Sequence, residues 1–241
     1  MGVKSAKGPG TALQLLKSFL VATCAVAVLT AGDPFSPARY RAGALPAMPV
    51  QAVGGGHVFL ELTVSDAGTV DVVTPLRTTP PFTEALVDVA RRWQFVPAEE
   101  TVDGTSPPRR VPSQVLVAGV FRPPALLNAP ALGEPPKDVA SASAGTPFPT
   151  GLIVPAFPPR ALFGGLVLVE VRVDPLGAVS GATVLRSAPP FDEPARDAAR
   201  RWRFRPARLH GRAVATIAYL VFGFRQPVLS SSNSPEQTRR L

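Results

Sequence analysis

The chain repeats itself at a spacing of 109 residues, so its fold must accommodate one unit twice. Pro46-Ala47-Met48-Pro49 returns as Pro155-Ala156-Phe157-Pro158, Gly55-Gly56 as Gly164-Gly165, and Leu76-Arg77 as Leu185-Arg186. Val58, Glu61, Val64 and Gly68 match Val167, Glu170, Val173 and Gly177. Pro80-Pro81-Phe82 matches Pro189-Pro190-Phe191, and Ala90-Arg91-Arg92-Trp93 matches Ala199-Arg200-Arg201-Trp202. Phe95, Pro97 and Ala98 match Phe204, Pro206 and Ala207 before any gap is needed. The first copy is then longer, through 99–111, and Gly119, Phe121 and Arg122 realign with the stretch ending Phe224-Arg225.

Each copy carries the same succession of patterns. Val58, Leu60, Leu62 and Val64 alternate with Phe59, Glu61 and Thr63, which predicts a half-buried strand. In the second copy Val167, Val169, Val171 and Val173 point inward, and Leu168, Glu170 and Arg172 outward. The turns Asp66-Ala67-Gly68 and Asp174-Pro175-Leu176-Gly177 close hairpins, with Gly68 and Gly177 free to take positive φ. Second strands follow near 69–76 and 178–185. A Pro-Pro-Phe loop then leads into a helix with Thr83 or Asp192 as N-cap. Leu86, Val89, Ala90 and Trp93 share one helical face, as do Ala195, Ala198, Ala199 and Trp202. Pro97 and Pro206 prevent the helices from continuing. Final strands are expected near 114–121 and 214–224. The order is β-β-α-β, an α+β unit with a helix packed on an antiparallel sheet.

The rest of the chain frames these units. Residues 1–32 carry Lys4, Lys7 and Lys17 ahead of an uncharged apolar run from Phe19 to Ala31, so they read as an export signal, either cleaved or retained as an anchor. Cys24, the single cysteine, lies in that run, so nothing beyond it can form a disulfide or a thiolate metal site. Residues 123–147, rich in Pro, Ala and Ser, read as an extended linker, and 226–241 as a disordered polar tail.

Composition and motif patterns argue against chemistry. The charge of +8 is spread along the chain in short pairs such as Arg109-Arg110 and Arg239-Arg240, without the dense basic run that nucleic acid binding needs. His57 and His210 do not recur between copies and have no metal-ligand spacing around them. Glu61 and Glu170 read as outward strand residues in ion pairs with arginine rather than as a catalytic pair. Gly54-Gly55-Gly56 lacks the lysine and the helix of a phosphate loop. Trp93, Phe95, Pro97, Trp202, Phe204 and Pro206 read as structural core. No catalytic, cofactor or metal residue is nominated, and the chain reads as a binding protein rather than an enzyme.

The second copy resembles the carboxy-terminal domain of the TonB family. The resemblance is carried by Gly165, by Asp174, Gly177 and Val179 of the hairpin, by Trp202, Phe204, Pro206 and Ala207 after the helix, and by Gly211 and Phe224; residues 155–160 resemble the proline-containing lead-in. The first copy is more degenerate, keeping Gly56, Gly68, Trp93, Phe95, Pro97 and Ala98. The resemblance implies two tandem TonB C-terminal-like domains, at 44–122 and 148–225, in the periplasm. It implies protein partners: extended segments of outer-membrane transporters gripped by β-augmentation, and an inner-membrane motor. By the same analogy the last strand is the partner-binding edge, with Val214, Thr216, Ala218, Leu220 and Phe222, or else it pairs at a homodimer interface. Only residues 33–43 separate the export segment from the first copy, far less than the long spacer of transducers in this family, so an adaptor or scaffold without energy transduction is the alternative.

Overall fold

The computed structural model describes residues 35–49, 52, 54–101, 106–122, 130–133, 142–159 and 161–225. The expected export segment and tail lie outside the described residues. Among those described, no helix is long and apolar enough to cross a membrane.

In chain order the first half contains β1 (Phe35–Ser36), β2 (Arg39–Ala42), β3 (Gly56–Val64), β4 (Val70–Arg77), α1 (Phe82–Ala90), β5 (Gln94–Val96), β6 (Ala98–Glu100), β7 (Arg109–Val111) and β8 (Ser113–Phe121). After β9 (Ala131–Gly133), the second half contains β10 (Phe148–Val154), β11 (Gly165–Val173), β12 (Val179–Arg186), α2 (Asp192–Arg200), β13 (Arg203–Arg205), β14 (Arg208–Leu209), β15 (Arg212–Ala213) and β16 (Thr216–Phe224).

The same local devices shape both halves. Gly68 and Gly177 take φ of 85° and 83° in the hairpin turns. A Cβ at either would also run into the carbonyl of Phe95 or Phe204. Those carbonyl-bearing residues in turn donate their amides to Gly68 O and Gly177 O, both at 2.8 Å, and so fasten the chain after each helix to the hairpin. Trp93 and Trp202 are buried, and their indole N–H groups donate to Ala44 O (2.9 Å) and Ile153 O (3.1 Å). Phe95 and Phe204 are buried beside them, while Pro97 and Pro206 are half-buried.

The expected helix caps are corrected. α1 and α2 begin without a side-chain cap, after Pro81 and Phe191. Thr83 and Asp192 instead reach back, accepting the amides of Thr79 (2.7 Å) and Ala188 (2.8 Å). α1 starts two residues, and α2 one residue, earlier than Thr83 and Asp192 would allow as N-caps, so each side chain fastens the Pro-Pro loop instead.

Six strands form one sheet in the order β12-β11-β16-β8-β3-β4. β11 pairs antiparallel with β12 and β16, and β3 does so with β4 and β8. The two halves meet where β16 runs parallel to β8, from Ala218 opposite Leu116 to Gly223 opposite Phe121. Parallel pairing of corresponding strands turns the halves over relative to each other. α1 therefore covers one face, over Val58, Leu60, Leu62 and Val64, together with Tyr219 and Val221 of β16. α2 covers the other, over Val167, Val169 and Val171, together with Leu116, Ala118 and Val120 of β8.

This arrangement corrects the expectation of strands with one wet face. Phe59 and Leu168, expected to point outward, are fully buried because each half's outer face meets the core of the other half. The segment 123–147 is corrected in part as well. β9 pairs antiparallel with β10, and residues 142–147 pack against β3 with Thr146 fully buried. The longer stretch after Ala98 contributes β6 and β7, which form a three-stranded sheet with β1.

Two shared cores imply one cooperative unit. Tyr219→Ala removes a buried ring of the second half from the first half's core and should destabilise the protein by about 3–5 kcal/mol. Urea unfolding followed by tryptophan fluorescence and by circular dichroism should shift together; separate transitions would show that the halves unfold independently.

Candidate protein-binding edges

A sheet recruits another chain through main-chain groups on an unpaired strand. The strand expected to serve this purpose has none to offer. Thr216, Ala218, Leu220 and Phe222 lie on β16, which is paired on both sides and buried along its whole length. Val214 precedes the strand, half-buried, and donates its amide to Ala207 O at 3.0 Å. The signal for this was present: TIAYLVFGF and SQVLVAGVF are apolar at successive positions, as strands covered on both faces are.

The outermost strands of the sheet are β4 and β12. Both are half-exposed, and both are bulged at the same two places, after the hairpin and before the Pro-Pro loop. Bulges twist an edge away from incoming strands, so the receptive stretch is the short one between them. On β4 that stretch includes Pro75, opposite Leu60, which has no amide to donate. A proline is tolerated in a paired strand where the nitrogen faces away from its neighbour. The corresponding residue of β12 is Val184, opposite Val169, whose amide is then directed at the open side. β12 is therefore the less obstructed edge. Thr183 and Arg186 are exposed along it.

Polar side chains within the body are used for assembly. Glu61 accepts three hydrogen bonds at Oε2: from the Ser143 amide (2.9 Å), Ser143 Oγ (2.8 Å) and Thr146 Oγ1 (2.5 Å). Arg205 also donates to Ser143 O at 3.2 Å. The Ser143–Thr146 turn thus binds the lead-in of the second half to the first half's sheet. The turn thereby supplies three donors to a half-covered carboxylate, which offsets the cost of covering its charge.

On the opposite face Tyr219 accepts the Tyr40 amide at 2.6 Å and donates to Ala38 O at 3.4 Å. Burial pushes its phenol well above the ordinary range, which the Tyr40 amide only partly offsets, so it stays a protonated donor. Tyr40, Trp93, Phe95 and Tyr219 form an aromatic cluster with ring centroids 5.1–6.5 Å apart. Arg122, at the end of β8, donates to Pro155 O, and burial lowers the pKa of its guanidinium. None of these contacts between halves was expected from the sequence, because their partners are 33 to 181 residues apart and belong to no local pattern.

His210, in the β14–β15 turn, hydrogen-bonds Glu100 at 2.9 Å, and the His57 carbonyl accepts from Thr79 Oγ1 at 2.7 Å. Among the described residues no group of three or more His, Cys, Asp or Glu is placed to hold a metal ion.

Residues 155–225 match the family model of the Gram-negative bacterial TonB protein C-terminal. That match runs from the lead-in before β11 to the end of β16, and supports a TonB family C-terminal domain over the second half. No curated protein sequence matches the chain.

Glu61→Gln keeps the shape but removes the charge from three hydrogen bonds, and should cost about 1.5–3 kcal/mol. Hydrogen exchange should accelerate in 142–148 before the rest of the sheet. Unchanged protection there would show that Glu61 does not hold the turn.

Proposed function

We propose that residues 44–122 and 148–225 are two TonB C-terminal-like domains of one periplasmic protein-binding protein, serving transmembrane transport as an energy transducer or as its accessory. Residues 1–32 would export it and, if retained, anchor it in the inner membrane within reach of a motor complex. The tandem reading is supported by the sequence repeat and by devices that recur 109 residues apart, from Gly68 and Gly177 to the two indole hydrogen bonds.

The observation that carries the binding reading is the open side of β12, in the half that the TonB model matches. An extended segment of an outer-membrane transporter would add there as a seventh strand, gaining main-chain hydrogen bonds between the two bulges. A specific observation favours the scaffold alternative. β16 meets β8 of the same chain, where a homodimer would bring a second β16, so the last strand is sealed unless the halves part.

Two measurements test this. Full-length protein is titrated with peptides covering the periplasmic N-terminal segments of outer-membrane transporters. Val184→Pro copies Pro75 of β4 into its counterpart position, so the fold should tolerate it while affinity falls about tenfold. Equal binding by this variant would remove β12 as the edge. Membrane fractionation with N-terminal sequencing separates the roles: an intact N-terminus in the inner membrane supports transduction, and a soluble periplasmic form starting near Gly32 supports the scaffold.

A further inference from the structure

The second half holds a strand with no counterpart among the described residues of the first half. β9 lies antiparallel on the outer side of β10, with Gly133, Leu132 and Ala131 opposite Leu152, Ile153 and Val154. The residues 109 positions earlier are Gly43, Ala44 and Leu45, which share the same anchor: Ala44 O accepts the Trp93 indole as Ile153 O accepts that of Trp202. Yet no described strand pairs with 43–45. Leu152 and Ile153 are buried under β9, whereas Ala44 is exposed and Leu45 half-exposed. Because successive residues of an extended chain direct their main-chain groups to opposite sides, fixing Ala44 O on Trp93 leaves Gly43 and Leu45 facing the vacant side. The Gly43 carbonyl is taken there by the Tyr40 hydroxyl at 2.7 Å, so Leu45 has the freer pair.

A cavity adjoins this vacancy. Gly133, at the end of β9, sits against His57, the nearest ring atom being 3.5 Å from where a Cβ would lie. The counterpart of His57 is Leu166, which lines a cavity of about 380 Å³ with Met48, Pro49, Phe224 and Arg225. Leu162 and Phe163, just upstream, are 71% and 76% exposed, so the apolar surface continues outside. Arg225 stands at the cavity with Nη1 on Gly54 O at 3.3 Å.

We infer that residues 43–45 and this cavity form a binding site for a short extended peptide of a partner protein, with small and leucine-like residues on 43–45 and an apolar side chain in the cavity. β9 on its counterpart strand shows the ligand chemistry: Ala131-Leu132-Gly133 is the segment that fills the equivalent place. The site is separate from the β12 edge and shares with the proposed function only the class of ligand, an extended protein segment.

The test uses a fluorescent synthetic peptide with the sequence of residues 128–136, Asn-Ala-Pro-Ala-Leu-Gly-Glu-Pro-Pro, added to the full chain. Saturable binding is expected, weak for so short a strand, with a scrambled peptide failing to bind. Hydrogen exchange should slow at 43–45 and 164–166 on binding. Leu45→Pro, which removes the amide facing the vacancy and also trims a side chain packed on the first half's core, should weaken binding about tenfold and lower the melting temperature; Arg225→Glu, at the cavity, should weaken binding about tenfold with little change in melting. The Arg225 variant keeps the test decisive if Leu45→Pro does not fold. Absence of binding, binding that leaves these amides unprotected, or amides at 43–45 already protected without peptide overturns the site, the last because the chain itself then fills it. Binding of the 128–136 peptide that weakens with Val184→Pro but not with Arg225→Glu would also overturn it, because the peptide would then sit on β12, leaving the proposed function standing.

Discussion

The parallel ladder between β8 and β16 is the constraint on which the rest of the body depends. Parallel strands cannot be joined by a tight hairpin, and here the chain between them carries the whole second half. Their pairing joins two three-stranded sheets into one of six and places α1 and α2 on opposite faces. Each helix then covers strands of its own half and a strip of the other half. A three-stranded sheet with one helix has one face left to hydrate; the joined sheet has neither face fully exposed near its centre.

Contacts reaching across that junction reinforce it from both sides. Over one face the Ser143–Thr146 turn is pinned to Glu61, and over the other Ala38 and Tyr40 are pinned to Tyr219. In both cases the lead-in to one half lies on a strand of the other. The buried Tyr219 hydroxyl, the Thr146 hydroxyl and the Glu61 carboxylate all find donors or acceptors across the junction. Assembled in this way, the sheet encloses its last strands at the centre and leaves β4 and β12 as its outer strands.

The halves are not equivalent, and the differences lie at the outer strands of their sheets. Pro75 stands in β4 where Val184 stands in β12, and β9 lies on β10 with no counterpart among the described residues of the first half. The copies differ at these positions and agree at the glycine turns and tryptophan anchors, which each unit needs to fold.

Much of each unit was legible from local pattern. Period-two alternation located β3 and β11, the turn glycines located the hairpins, and the spacing of Leu86, Ala90 and Trp93 located the buried side of α1. These are properties of contiguous residues, governed by side-chain period and φ preference, and sequence alone determines them. How two such units would meet was decided only by tertiary structure. The strand read as a free edge became the centre of the sheet, outward Phe59 and Leu168 became core, and part of the supposed linker became β9 and the Glu61 turn. The physical reason is that an unpaired apolar strand and an uncovered sheet face are favourable to cover but do not specify by what. The choice between a partner's strand, a second copy and the chain's own other half depends on contacts between residues more than 80 positions apart, and no local pattern encodes them.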